Sequence, residues 1–158
     1  MARRPIFEET TAPVAPQPRR GIEAPQGARR AIRLWLGLLF ALVVAMIALG
    51  GLTRLTDSGL SITEWRPLAG ALPPMNAADW QAEFDRYQQI DQYHLLNQGM
   101  TLGEFQAIYW WEWSHRQLGR LIGLVWAAGF LWFWLRRQIP AGWQGRLALP
   151  GLLGGVQG

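Results

Sequence analysis

The chain has 158 residues, half of them apolar and ten of them Trp, yet its mean hydropathy is near zero, so the apolar residues are gathered into segments, as in a small membrane protein, and not spread over one soluble core. Cysteine is absent, which excludes disulfide, zinc-thiolate and iron–sulfur sites. The net charge of +4 comes from Arg alone, and because these arginines flank apolar segments and form no basic face with interleaved stacking groups, nucleic acid is excluded as a partner.

Residues 1–33 read as a disordered cytoplasmic tail, rich in Pro, Ala and Arg and without periodicity. Arg3, Arg4, Arg19, Arg20, Arg29, Arg30 and Arg33 lie here. Glu8, Glu9 and Glu23 do not suit a mitochondrial transit peptide, so a bacterial inner membrane is preferred over the mitochondrial inner membrane. Residues 34–52, "LWLGLLFALVVAMIALGGL", form the first span, about 28 Å long at ~1.5 Å per residue. Gly37, Ala41 and Ala45 fall on one face, where another helix could approach closely.

Residues 53–101 read as an extracytoplasmic loop, opening with the turn-rich "TRLTDSGLSITEWRPLAGALPP". Asn76 and Asp79 resemble an N-cap pair, and Trp80, Phe84 and Tyr87 repeat at helical spacing, giving a short amphipathic helix that lies on the membrane surface or covers a cavity. His94 reads as a solvated or capping residue.

Thr101 and Glu104 form a T-x-x-E capping box before an apolar run, so residues 102–137 read as one long helix containing the second span. Counting back about 20 residues from Arg136 uses up the hydrocarbon core and places Glu112 and His115 near its outer edge. Tyr109, Trp110, Trp111 and Trp113 then read as an interfacial aromatic belt. Glu112 and His115 share a helix face, and Gly119, Gly123 and Ala127 follow His115 at steps of four. A flat macrocycle ligated by His115 could lie on that bare strip, with Arg116 or Arg120 pairing with its carboxylates. The competing reading is a small-residue packing seam in which Glu112 and Arg116 neutralise each other as an i,i+4 pair. Residues 138–158 read as a cytoplasmic loop and the start of a truncated third span.

The blocks "GGLTRLTDSGLSITEWRPLAGALPP", "LLNQGMTLGEFQAIYWWEWSHRQLGRLIG" and "LPGLLGGVQG" together resemble the N-terminal part of the haem A synthases, from about Leu34 to the end. The resemblance implies an all-α membrane protein, a transmembrane helical bundle of eight helices in two similar halves, of which this chain is a fragment. It implies oxidation of the C8 methyl of haem O to a formyl group, with haem b as cofactor of the whole enzyme. His115 matches the first haem-ligating histidine, binding the haem iron, and Glu112 matches the acidic residue that acts at the methyl group. Implied partners are membrane lipid, haem O, haem O synthase and cytochrome oxidase assembly factors. The alternative is a non-catalytic haem-binding or assembly subunit. Relatives with a cysteine pair in the first outer loop differ from this chain, and the partner histidine of this half is missing, so the fragment alone is expected to be inactive.

Arg136, Arg137 and Arg146 follow the second span, while residues 53–104 have seven acidic residues against Arg54, Arg66 and Arg86. Arginine bias therefore puts the N-terminus and the stretch from Arg136 to Arg146 inside. Alkaline phosphatase fused within residues 76–92 is expected to be active; activity there of a reporter that works only in the cytoplasm would overturn this topology.

Overall fold

Along the first apolar helix, Ala28, Ile32, Trp35, Leu39, Leu42, Met46, Leu49 and Thr53 are buried or half-buried, at alternating steps of four and three. That spacing keeps one stripe facing a partner helix as in a coiled coil. The computed structural model describes residues 26–64 and 69–157 and is all-α among them: α1 (Gln26–Leu55), α2 (Ala77–Tyr87), α3 (Asp91–Leu96), α4 (Leu102–Leu135) and α5 (Gln144–Gln157), with a 3-10 turn at Ala69–Ala71.

α1 and α4 pair antiparallel. Near one end Trp35 packs on Phe133, with ring centroids 5.6 Å apart, and its indole N–H donates to the Val125 carbonyl at 2.9 Å. Further along, Met46 lies over Gly119 and Gly50 lies against His115. Both helices are long and apolar enough to cross a membrane. Leu34, Phe40, Ile47, Leu124 and Trp132 remain more than half exposed, a surface suited to lipid and not to water.

α1 begins at Gln26, so residues 26–33 are helical where the sequence reading put them in an irregular tail; Ala28 and Ile32 continue the buried stripe and hold that extra turn in place. The rest of the proposed tail, residues 1–25, lies outside the described residues. Gly37, Ala41 and Ala45 are exposed, on the face away from α4.

Beyond the span, Phe84 and Tyr87 of α2 pack on Phe105, Ile108 and Tyr109 of α4 in one buried cluster. Trp80 meets Tyr109 edge-on at 4.9 Å. The aromatic belt read from the sequence is thus divided: Tyr109 is core, because α2 covers it, Trp113 is half-buried against the same cluster, and Trp110 and Trp111 stay exposed. Both caps form as read. Asn76 accepts from the Asp79 amide at 2.9 Å, and Thr101 and Glu104 make the reciprocal capping box. At the other end α5 folds back, with Leu147 joining Ile32, Phe133 and Ile139 and the Trp126 indole donating to the Leu147 carbonyl at 2.9 Å.

The Trp35 ring fills the space where a Cβ on Gly129 would sit, whereas nothing approaches within 4 Å of a Cβ on Gly123. Gly129→Ala is expected to destabilise the helix pair by about 1–3 kcal/mol. Gly123→Ala should stay within about 0.5 kcal/mol. Equal thermal midpoints of the two variants in detergent would contradict this seam.

Candidate functional site

The N-terminal third of α4 carries Glu112, whose side chain is buried. A carboxylate in such surroundings needs donors. The chain leaving α1 supplies them. Thr53 Oγ1 donates to the Gly50 carbonyl at 2.8 Å, and the Ser58 amide donates to the Thr53 carbonyl at 2.9 Å, turning the chain back towards α4. Asp57 and Leu60 adopt φ of 48° and 70° in that turn. Ser61 Oγ then donates to Glu112 Oε2 at 2.7 Å and the Ile62 amide to the same oxygen at 2.8 Å.

The other oxygen belongs to Arg116, one helical turn on. Its Nε and Nη2 reach Glu112 Oε1 at 2.9 and 2.5 Å. The guanidinium also donates to the carbonyls of Ile62 at 2.8 Å and Glu64 at 3.4 Å. One ion pair therefore fastens residues 61–64 to α4, and each partner satisfies both charge and backbone.

His115 turns to a different neighbour. Its ring lies in the α1–α4 seam against Gly50, where a Cβ would come within 3.1 Å of Nε2. The imidazole makes no hydrogen bond or ion pair among the described residues. Below it, Gly119 would put a Cβ 3.2 Å from Met46, so it serves close helix approach, while Gly123 is open.

Arg120 lines a cavity of about 440 Å³ together with Arg116, Arg86, Glu64, Glu83 and Tyr109. On its α2 side Arg86 is paired with Glu83, whose carboxylate raises that guanidinium's pKa above its ordinary value. The structure thus brings Glu112 and Arg116 together, sets Arg120 at the cavity and sends His115 to the α1 seam. Arg116 is engaged at all three nitrogens. His94 is exposed on α3 beside Tyr93. The sequence reading missed Ser61 and the Ile62 amide: "DSGLS" signals a turn, but nothing local indicates an acceptor fifty residues away.

A family model described as cytochrome oxidase assembly protein, COX15-CtaA, matches residues 33–158. The chain is 64% identical over 162 aligned residues to a protein named heme A synthase from Ruegeria sp. (strain TM1040), covering all of this chain and 42% of the relative. It is 66% identical over 160 residues to the heme A synthase of Ruegeria pomeroyi, covering 99% of the chain and 42% of the relative. For the heme A synthase of Paracoccus denitrificans the identity is 62% over 162 residues, again covering the whole chain and 42% of the relative. The chain spans about two fifths of the length of the curated relatives it matches. No solved structure matches.

Glu112→Ala should release residues 57–64, because Ser61, Ile62 and Arg116 lose a common acceptor. Amide hydrogen exchange there is expected to quicken by about tenfold or more, with α2 little changed. Unchanged protection of residues 57–64 would show that other contacts hold the loop.

Proposed function

This chain belongs to the COX15-CtaA family of cytochrome oxidase assembly proteins, and we propose that it acts in haem A synthesis, oxidising the C8 methyl of haem O to a formyl group. The observation that carries this reading is the pairing, within one turn of α4, of an imidazole free of protein partners and a buried, anchored carboxylate. The names of the similar bacterial proteins support the same activity. The activity is assigned to the protein expressed from its complete gene, with haem b as a further cofactor.

The residues present fit a haem. His115 offers an unoccupied nitrogen donor, Gly50 leaves its side of the seam without a side chain, and Gly123 leaves bare helix below. Haem bound here would supply the redox-active iron and carry the methyl group. His115 would hold the iron, and Arg120, with Arg116, would hold the carboxylates. Glu112 accepts hydrogen bonds on both oxygens, so taking up a proton would break one of them. Its role is therefore electrostatic, stabilising positive charge that develops at the methyl carbon. The N-terminus faces the cytoplasm in a bacterial inner membrane: antiparallel pairing of α1 and α4 puts Arg29, Arg30 and Arg33 at the same end as Arg136 and Arg137. Haem O synthase and oxidase assembly factors are the expected partners.

One observation favours the non-catalytic alternative: Arg116 already neutralises Glu112. Four variants separate the readings. His115→Ala should lose the haem absorption of this site, whereas Glu112→Gln should keep the haem and lower conversion of haem O by roughly a hundredfold. If Glu112 only balances Arg116, the Glu112→Gln, Arg116→Gln double variant regains the activity lost in either single variant. Full recovery there would remove Glu112 from the chemistry, and normal haem binding by His115→Ala would remove the ligand.

A further inference from the structure

We propose that Ser61 is a positioning residue for haem O oxidation, fixing the orientation of the Glu112 carboxylate through a hydrogen bond that Arg116 cannot replace. The proposal rests on the assignment of Glu112 made above. Arg116 places both its short contacts on Oε1. That leaves Oε2 of a buried carboxylate to be satisfied by other donors. Ser61 Oγ and the Ile62 amide take it at 2.7 and 2.8 Å, so the carboxylate is held at both oxygens and its shallow terminal torsion is fixed from two sides. Ser61 is fully buried, and its other contact, to the Ile108 carbonyl at 3.4 Å, is much longer, so its proton is committed to Glu112.

The backbone around Ser61 supports this. Asp57 and Leu60 both hold the left-handed conformation, which disfavours residues with side chains, and Leu60 is 65% exposed, so its strain is not offset by burying it. What the turn does achieve is to aim two adjacent donors at one carboxylate oxygen. It is held from outside as well: Gln92 Nε2 donates to the Asp57 carbonyl at 2.6 Å, and Ser58 is fully buried. Such over-determination is how a preorganised electrostatic group keeps its geometry through a reaction.

The test uses the protein expressed from its complete gene, with haem content and the kinetics of haem O conversion measured for Ser61→Ala, Ser61→Cys, Glu112→Gln and the Ser61→Ala, Glu112→Gln double variant. Ser61→Ala is expected to lower kcat about tenfold, the loss of one hydrogen bond to a charged acceptor, with KM for haem O and haem content unchanged. Ser61→Cys keeps the packing, weakens the donor and should fall in between. In the Glu112→Gln background, Ser61→Ala should add no further loss, because its effect passes through Glu112. Loss of kcat in Glu112→Gln with wild-type kinetics in both Ser61 variants would overturn this proposal and leave the assignment of Glu112 standing, as would fully additive losses. Wild-type activity of Glu112→Gln would overturn the assignment and this proposal together.

Discussion

The buried pair between Glu112 and Arg116 is the contact on which the half of the molecule around α2 depends. A carboxylate this far from solvent loses several kcal/mol of hydration and must recover it from fixed donors. Arg116 alone would balance the charge; the loop completes the solvation with Ser61 and Ile62, and Arg116 in turn takes the Ile62 and Glu64 carbonyls. Backbone polar groups that would otherwise lie unpaired beneath α2 are thereby satisfied. The cavity bounded by α2, α4 and this loop follows from that arrangement, since its inner wall is the fastened loop and its outer wall is α2, held by Phe84 and Tyr87. Tyr87 is buried deeply enough that its hydroxyl pKa is pushed up, even though the Asn97 side chain donates to it.

The half built on the α1–α4 seam obeys a different rule. There the α1–α4 seam is close packing of large against absent side chains: Trp35 into Gly129, Met46 over Gly119, His115 against Gly50. In lipid, where apolar burial no longer drives helices together, such contact and an occasional hydrogen bond, here from Trp35 to the Val125 carbonyl, do most of the holding. His115 belongs to this seam and not to the polar cap above it, although it stands one turn from Glu112.

How much of this was legible follows the range of each interaction. The spans, the Asn76 cap, the Thr101–Glu104 capping box and the Glu112–Arg116 pair all rest on spacings of four residues or fewer, or on an apolar run, and each was readable. The division of the aromatic belt was not, because Tyr109 and Trp110 are adjacent and only the position of α2 decides which is covered. The early start of α1 was hidden by hydropathy: Arg29, Arg30 and Arg33 mask the neighbouring buried positions Ala28 and Ile32. Ser61 was out of reach for a plainer reason, since a turn serine can bond its own backbone, and the partner that captures it lies fifty residues on. The matching of His115 and Glu112 came from family resemblance; the geometry adds what surrounds each of them.

That difference in surroundings bears on how such a site can work. Three residues of helix separate His115 from Glu112 by about 4.5 Å along the axis, a distance α4 keeps rigid. Yet the carboxylate is governed by the loop after α1, and the imidazole by the body of α1. A change in the loop can alter the charge and orientation of Glu112 without displacing His115, and a change in the seam can alter the space around His115 without touching the carboxylate's donors. Under the function proposed above, ligand binding and methyl-group chemistry would thus be held at a fixed spacing by one helix but tuned by separate segments. That separation would let either task be adjusted without loss of the other.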